Sequence, residues 1–236
     1  MIQFRYAFFA LSLILLFSCS DCIKGEGVQI VQKRSVENYD VIYVDGAFDV
    51  LVKQTNGTNS IEVNAQGNLM PYLLTNVHSK RLEITASECL QSSDPILIEV
   101  STNGIVKIIN EGSGDLNGLG SLKGDELKVV NDGSGNVRLK FKGEEAIVVN
   151  EGSGDVYLSG EVEELSIDLD GSGDVNTLEL KSMIAKVEND GSGKISFYAK
   201  EEVAIELEGS GDIDYKGNPK NSNKEVSGSG SIRNID

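Results

Sequence analysis

The sequence is poor in the residues that metal sites and acid–base catalysis use most. Its 236 residues include no tryptophan, one histidine, three cysteines and three prolines. So few histidines and cysteines leave little material for a zinc site or a histidine-based catalytic centre. Acidic residues outnumber basic ones by 37 to 21, and a formal charge of −16 disfavours contact with a phosphate backbone. We therefore expect neither a nucleic-acid-binding protein nor an enzyme, and no cofactor.

Long hydrophobic runs are missing except at the N-terminus. Residues 7–17 are apolar apart from Ser12, a run too short for a bilayer span of about 20 residues and typical of a secretory signal peptide. The run ends in Leu16-Phe17-Ser18-Cys19, which resembles a bacterial lipobox, so residues 1–18 are predicted to be a lipoprotein signal peptide and Cys19 to be acylated. We expect an outer-membrane lipoprotein of the cell envelope that binds the membrane through its acyl chains. Whether it faces the periplasm or the cell surface is left open.

The next two segments differ in their patterning. Residues 19–37 are polar and without periodicity, and we predict a lipidated N-terminus followed by a linker. Residues 38–103 contain short alternations of apolar and polar residues between turn residues, which predict an N-terminal β region. An oxidising compartment would permit a disulfide between Cys22 and Cys89. Because Cys22 falls in the predicted linker, free thiols are the favoured alternative.

Seven copies of the tripeptide Gly-Ser-Gly mark the remaining residues, 104–236. Successive copies lie 21, 19, 19, 20, 18 and 19 residues apart, with apolar–polar alternation on both sides of each copy. Units of this size cannot bury a core alone, but stacked units can, because like residues lie on like residues. The period predicts an all-β protein built as a parallel β-solenoid, which the N-terminal β region caps or extends. The copies begin at Gly112, Gly133, Gly152, Gly171, Gly191, Gly209 and Gly228.

The Gly-Ser-Gly corners, beginning with Gly112-Ser113-Gly114, are predicted to stack as a column. Glycine suits a sharp corner that needs positive φ and leaves little room for a Cβ atom, and the serine hydroxyls are expected to bond along the column. Two residues before the first glycine, four of six copies carry asparagine, which predicts a ladder of side-chain amides that satisfies buried backbone. These residues are Asn110, Asn131, Asn150 and Asn189.

Three motifs taken in order carry a family resemblance. They are Gly-Ala-Phe-Asp-Val at 46–50, Asn-Leu-Met-Pro-Tyr at 68–72, and the repeated Gly-Ser-Gly-Asp corners. The combination, over about residues 38–236, resembles the bacterial family known as putative auto-transporter adhesin, head GIN domain. The resemblance implies a right-handed parallel β-helix in a Bacteroidetes-type envelope, and it supplies no catalytic residues.

Aspartates that follow the corners are the one candidate metal site. Stacked carboxylates about 4.8 Å apart repel each other, and a calcium ion would relieve that repulsion. Asp155 and Asp174 in successive units are therefore weak calcium candidates. The favoured interpretation is that these side chains cap turns through bonds to the backbone.

Acidic, histidine and aromatic residues also bear on two other functions, catalysis and sugar binding. Acidic residues are too abundant for spacing to identify a catalytic pair, and His78 is expected to be exposed or packed. A platform for sugars would rest on four aromatic residues, two of which share a repeat register with leucines and are expected in a buried stripe. The four are Tyr157, Phe197, Tyr198 and Tyr215, of which Phe197 and Tyr215 share the register.

The sequence therefore predicts a non-catalytic binding or adhesion module that presents a rigid, repetitive and acidic surface. Its expected partners are the membrane, through the lipid, and a glycan or a host or matrix protein. Two alternatives remain open: a structural scaffold of the envelope without a ligand, and a degenerate carbohydrate-active β-helix. Ser222 and Lys224 stand at apolar positions of the last unit and predict a polar cap. No oligomeric state is predicted.

Overall fold

The computed structural model describes residues 22–236, and strands dominate this part of the chain. Within it, no helix has the length and hydropathy that crossing a membrane requires. The N-terminal part contains β1 (Ile23–Lys24), β2 (Gln29–Ser35), β3 (Val41–Asp45), β4 (Asp49–Gln54), β5 (Ser60–Gln66), a 3-10 helix (Met70–Tyr72), β6 (Leu73–His78), β7 (Arg81–Ala86), β8 (Leu90–Gln91) and β9 (Leu97–Thr102).

The repeat region continues with pairs of strands that flank each corner. Apolar residues alternate with polar ones along these strands, so one side of each strand is buried. The strands are β10 (Lys107–Asn110), β11 (Leu116–Lys123), β12 (Glu126–Asn131), β13 (Val137–Lys142), β14 (Glu145–Asn150), β15 (Val156–Glu161), β16 (Glu164–Leu169), β17 (Val175–Asn189), β18 (Ile195–Leu207), β19 (Ile213–Lys216), β20 (Asn221–Val226) and β21 (Ile232–Asn234).

The strands stack in parallel as two sheets that meet at the corners. We call the strands that enter the corners the pre-corner sheet: β7, β3, β10, β12, β14, β16, the second half of β17, the second half of β18, and β20. The strands that leave the corners form the post-corner sheet: β9, β4, β11, β13, β15, the first halves of β17 and β18, β19 and β21. The predicted parallel β-solenoid is confirmed.

Equivalent apolar residues form the core by stacking in single file. Val129 pairs with Val148, which pairs with Ile167, and all three are almost completely buried. Such like-on-like packing gives each coil the same inward shape, so its neighbour fits without voids.

The N-terminal β region both extends and closes this stack. The segment β3–Gly46–β4 forms a coil of its own, and β7 and β9 lie one layer further out in parallel register. Beyond them the direction reverses, because β6 pairs with β7, β5 with β9 and β2 with β5 in antiparallel fashion. These reversed strands end the column of coils.

The predicted linker is wrong from residue 22 onward, and so is the preference for free thiols. A disulfide joins Cys22 to Cys89, β1 pairs with β8, and β2 pairs with β5 along seven residues. The sequence conceals these strands because they lie at the end of the stack, where neither side of a strand is fully buried. Four consecutive residues of β2, 30–33, are exposed, so the alternation that marks a strand is absent.

The corner glycines are required by the close approach of successive coils. A Cβ atom on Gly133 would overlap the carbonyl oxygen of Gly112, and one on Gly152 would overlap that of Gly133. The expectation of positive φ is not met, because the described glycines with positive φ all lie away from the corners. Steric exclusion therefore explains these glycines, and conformational freedom does not.

The four predicted asparagines occupy one inward column and are fully buried. Asn110 Nδ2 donates to Asn131 Oδ1 at 3.0 Å, and Asn131 Nδ2 donates to Asn150 Oδ1 at 3.3 Å. Asn131 Nδ2 also donates to the corner carbonyl of Gly154 at 3.0 Å. Asn189 stands apart between leucines, donates to Gly193 O at 3.1 Å, and has an unpartnered Oδ1.

The last coil covers the C-terminal end of the core with polar groups. Lys224 lies in register with buried Ile205, and its Nζ donates to the Tyr215 hydroxyl at 2.7 Å. On the outer side, Arg233 Nε binds Asp214 Oδ1 at 2.8 Å. These bonds place polar groups over the end of the stack, as a cap requires, although Val226 and Ile235 remain exposed there.

The asparagine column predicts a difference between two chemically identical substitutions. Asn131→Leu removes a side chain that is bonded on both sides and leaves the buried Asn150 Oδ1 without a donor. Asn110 Nδ2 and Gly154 O each lose one of two bonds and keep the other, to Gly135 O and from Asn150 Nδ2. We expect it to lower the free energy of unfolding by roughly 1–3 kcal/mol. Asn189→Leu removes one bond and an already unpartnered oxygen, so its cost should be much smaller. Urea denaturation of both variants measures the difference, and equal costs would contradict the ladder.

Candidate functional site

A groove on the post-corner sheet is the candidate site for a ligand. It has a volume of about 330 Å³ and lies across the middle of the solenoid. We call it the Tyr157 groove, after the aromatic residue in it. It is lined by Arg138, Leu139, Tyr157, Leu158, Ser159, Asn176, Leu178 and Glu179.

The strand register creates this groove. Arg138, Tyr157 and Asn176 are paired across β13, β15 and β17, so they form one row on the outer surface. The register then shifts, because Ser159 pairs with Glu179, and β17 carries one residue more than β15 between these pairs. Such a bulge bends the strand and redirects its side chains, and bulges of this kind are common beside binding sites.

The Tyr157 side chain is held in place from two sides. The Arg138 guanidinium lies 4.7 Å from the centre of the Tyr157 ring, within the range of a cation–π contact. The Tyr157 hydroxyl donates to Asp155 Oδ2 at 3.1 Å. Partial burial and this hydrogen bond raise the pKa of Tyr157 above its ordinary value, so the phenol stays neutral at physiological pH.

The groove brings together groups that suit recognition of a hydroxyl-rich ligand. It presents a ring, a guanidinium, an amide and a carboxylate, from Tyr157, Arg138, Asn176 and Glu179. An aromatic ring packs against the apolar side of a sugar, and the polar groups can bond its hydroxyls. The sequence identified Tyr157 but missed its three partners. The interval from Gly171 to the next corner is 20 residues, one residue longer than the interval before it. This extra residue is the signal in the sequence that locates the bulge.

The other three aromatic candidates lie outside the Tyr157 groove. Phe197 and Tyr215 stack in the core with ring centres 5.7 Å apart, so the predicted buried stripe is confirmed for both. Tyr198 is half-exposed outside the groove, and the Lys181 amine lies 3.8 Å from its ring centre. Of the four aromatic candidates, Tyr157 is the one that lines the groove.

A second recess of about 520 Å³ lies where the N-terminal β region meets the first coil. Asp40 and Lys80, which line it, bind each other at 3.2 Å. Gln54 links its two walls through bonds to both the N–H and the carbonyl of Lys123, at 2.6 and 3.0 Å. Its one aromatic lining residue, Tyr39, is only 3% exposed. The Asp40–Lys80 ion pair and the buried ring of Tyr39 make this recess the weaker candidate.

The carboxylates of the calcium candidates accept hydrogen bonds from backbone N–H groups. Asp155 Oδ1 accepts the N–H of Asp174, and Asp174 Oδ1 accepts the N–H of Lys194, both at 2.8 Å. The same bond joins Asp115 to the N–H of Asn136 at 2.9 Å. Across residues 22–236, no three or more His, Cys, Asp or Glu side chains are grouped to hold a metal ion. These carboxylates cap the following coil, which agrees with the favoured interpretation of side-chain-to-backbone bonding.

The remaining sequence candidates do not converge on a catalytic centre. His78 is exposed at the end of β6, as expected. Acidic residues on the side of the coils opposite the corners, such as Glu144, Glu163 and Glu201, are exposed as well. Cys19 and the predicted signal peptide lie outside the described residues.

The pre-corner sheet changes character along its outer surface. One outward row is apolar at Ile109, Val130 and Val149 and becomes acidic from Asp168 onward. Burial raises the pKa of the Asp168 carboxyl, and the negative charges of nearby acidic residues raise it further. Those neighbours are Asp170, Glu188, Asp190 and Glu151.

Comparisons with known proteins place these features in a wider group. Residues 38–219 match the family described as putative auto-transporter adhesin, head GIN domain. No curated protein matches the chain.

Solved structures share the fold over most of the chain. A putative adhesin from Bacteroides fragilis is 22% identical, with a TM-score of 0.86 over 90% of this chain and 100% of that one. A putative adhesin from Parabacteroides merdae is 21% identical, with a TM-score of 0.73 over 92% and 100%. A putative lipid binding protein from Parabacteroides distasonis is 25% identical, with a TM-score of 0.76 over 92% and 100%.

The acidic row predicts that removing the charge of Asp168 stabilises the protein to an extent that depends on pH. Because the folded-state pKa of Asp168 lies above the ordinary 3.8, ionisation of this carboxyl costs stability as the pH rises through that range. Asp168→Asn should therefore raise the melting temperature at neutral pH and leave it unchanged at about pH 3, where the native side chain is protonated.

Asp125→Asn, an exposed acid outside this group, serves as the control. Melting curves of the three proteins at both pH values provide the measurement. An equal gain at both values would show that charge relief is not the cause.

Proposed function

The chain belongs to the family of the putative auto-transporter adhesin, head GIN domain, and from this premise we propose that its solenoid is a non-catalytic binding module at the cell envelope. Its role is adhesion, and the ligand is a glycan held in the Tyr157 groove. The observation that carries the proposal is the fixed row of Arg138, Tyr157 and Asn176 beside a bulge on an otherwise regular sheet.

Rigidity supports binding at this groove. The row is positioned by backbone pairing on both sides, and the hydrogen bond to Asp155 fixes the Tyr157 hydroxyl. Little conformational entropy is lost when a ligand settles on groups that are already ordered. Several copies of the protein on one cell can bind the same glycan-bearing surface at the same time. Weak individual contacts would then add up to firm attachment.

Attachment of the module to the membrane is part of the same proposal. The lipobox-like sequence at 16–19 supports acylation of Cys19 and retention in the outer membrane. Several acyl chains hold a protein durably, since each buried methylene contributes about 0.8 kcal/mol. A scaffold without a ligand is the alternative, and the following test separates the two.

Tyr157→Ala tests the groove. The variant should lose most of the glycan binding that the parent protein shows on an array, because the ring supplies the apolar contact and orders Arg138. Tyr198→Ala is the matched control, since it removes another half-exposed tyrosine that lies under a lysine. Binding that falls equally in both variants would argue against the groove, and no binding by the parent protein would favour the scaffold.

Cys19→Ser tests the anchor. The variant lacks the sulfur that would carry the diacylglycerol, so it should move from the membrane fraction to the soluble fraction of fractionated cells. Metabolic labelling with a tagged fatty acid should mark the parent protein and not the variant. A variant that stays with the membrane would refute acylation as the means of attachment.

A further inference from the structure

We infer that the N-terminal end of the solenoid lies directly on the lipid surface, with the exposed apolar residues of β2 in contact with the headgroup region. This inference rests on the lipid anchor proposed above. It goes further, because it fixes which end of the molecule touches the membrane and which chemical groups make the contact.

The tether between the anchor and the folded body is short. Cys22 is bonded covalently to Cys89, and the backbone N–H groups of Ile23 and Gly25 donate to Cys89 O and Gln91 O, both at 2.8 Å. The chain is therefore part of the folded body from Cys22 onward. Three residue steps separate Cys22 from Cys19, and they span about 11 Å at most when extended. An acylated Cys19 consequently keeps this end of the body against the bilayer.

Exposed apolar side chains are concentrated at the same end. Val28, Ile30 and Val31 are 79%, 46% and 59% exposed, and they lie within four consecutive residues. In the described part of the chain, the other exposed large apolar residues are Val106, Leu119, Ile184, Val226 and Ile235, and no three of them lie within four consecutive residues. A close group of exposed aliphatic side chains next to a lipid anchor is the pattern of a membrane contact.

The local charge of this end is less negative than that of the chain as a whole. Between residues 22 and 35 the chain carries Lys24, Lys33 and Arg34 against Glu26, which gives 3 − 1 = +2. The whole chain, by contrast, has a formal charge of −16. Lys33 Nζ is paired with Glu62 Oε1 at 2.7 Å, and Arg34 Nη1 donates to Leu73 O at 2.7 Å, so this end is repelled by anionic headgroups less than the acidic body is.

The depth of contact follows from the backbone of β2. Among the described strands β2 pairs with β5 alone, so its other edge presents unpaired N–H and C=O groups. Such groups cannot enter the hydrocarbon core without a large penalty, but they can bond to water and lipid headgroups. Ile30 and Val31 point to opposite faces of β2, so both contact the membrane when the free edge of the strand faces it, and their side chains then lie beside the strand in the headgroup region.

Site-specific fluorescence on the full acylated chain tests the inference. Val31→Cys and Val226→Cys each provide a position for an environment-sensitive dye, and the native valines are similarly exposed, at 59% and 54%. The proteins are placed in phosphatidylethanolamine–phosphatidylglycerol vesicles that contain a lipid-bound quencher. We expect a blue-shifted, quenched signal at position 31 and a water-like, unquenched signal at position 226, which lies at the opposite end of the stack.

A water-like signal at position 31 in vesicle-bound protein would overturn the inference and leave the anchor standing. Protein that fails to float with vesicles would overturn both. A blue shift that appears without vesicles and grows with protein concentration would identify a second copy as the occupant of β2, and would also overturn it.

A second variant separates true contact from mere proximity. Val28→Ser and Ile30→Ser together, combined with the dye at position 31, keep the tether but remove most of the apolar surface. Loss of quenching in this variant supports contact through these side chains. Quenching that is unchanged from the parent would show that the tether alone holds the end near the membrane, and the apolar contact would be rejected.

Discussion

Backbone hydrogen bonding from coil to coil, maintained at the corners as well as in the strands, is the constraint on which this molecule depends. The N–H of Ser153 donates to Gly133 O at 3.1 Å, and that of Ser172 donates to Gly152 O at 3.0 Å. Corners held this close leave no space for side chains between them, which accounts for the glycines. The same spacing lets a buried asparagine amide or a corner carboxylate reach the next coil, so polar groups that the corners bury are satisfied along the axis.

The repeat made most of this architecture predictable. A slip of one residue would turn the inward side of every strand outward, so the alternation around Val129, Val148 and Ile167 fixes both the burial and the register. The ends of the stack could not be derived in this way. Strands β1 and β2 cover the end of the core and have no coil beyond them, so their sequences lack a periodic buried side. The disulfide escaped prediction for the same reason, because its position depends on strands that were not recognised.

The candidate site depends on departures from regularity rather than on the repeat itself. A perfect solenoid offers flat sheets, and the Tyr157 groove exists because β17 carries an extra residue beside Ser159. The aromatic residue was recognisable by its type, whereas Arg138 and Asn176 became relevant only through their register with it. Unequal intervals between corners therefore mark structural irregularities that the average period hides, and the 21-residue interval likewise corresponds to a bulge in β11.

The direction of the inter-coil bonds also has a mechanical consequence. These bonds run along the axis, so a tensile load applied between the two ends of the stack strains them lengthwise rather than in shear. The Cys22–Cys89 disulfide transmits such a load covalently into the layers beneath. Strand β1 is therefore not pulled away from β8. Rupture would then begin between whole coils, where many bonds must yield at once, and each detached coil would lengthen the molecule by one repeat of unfolded chain.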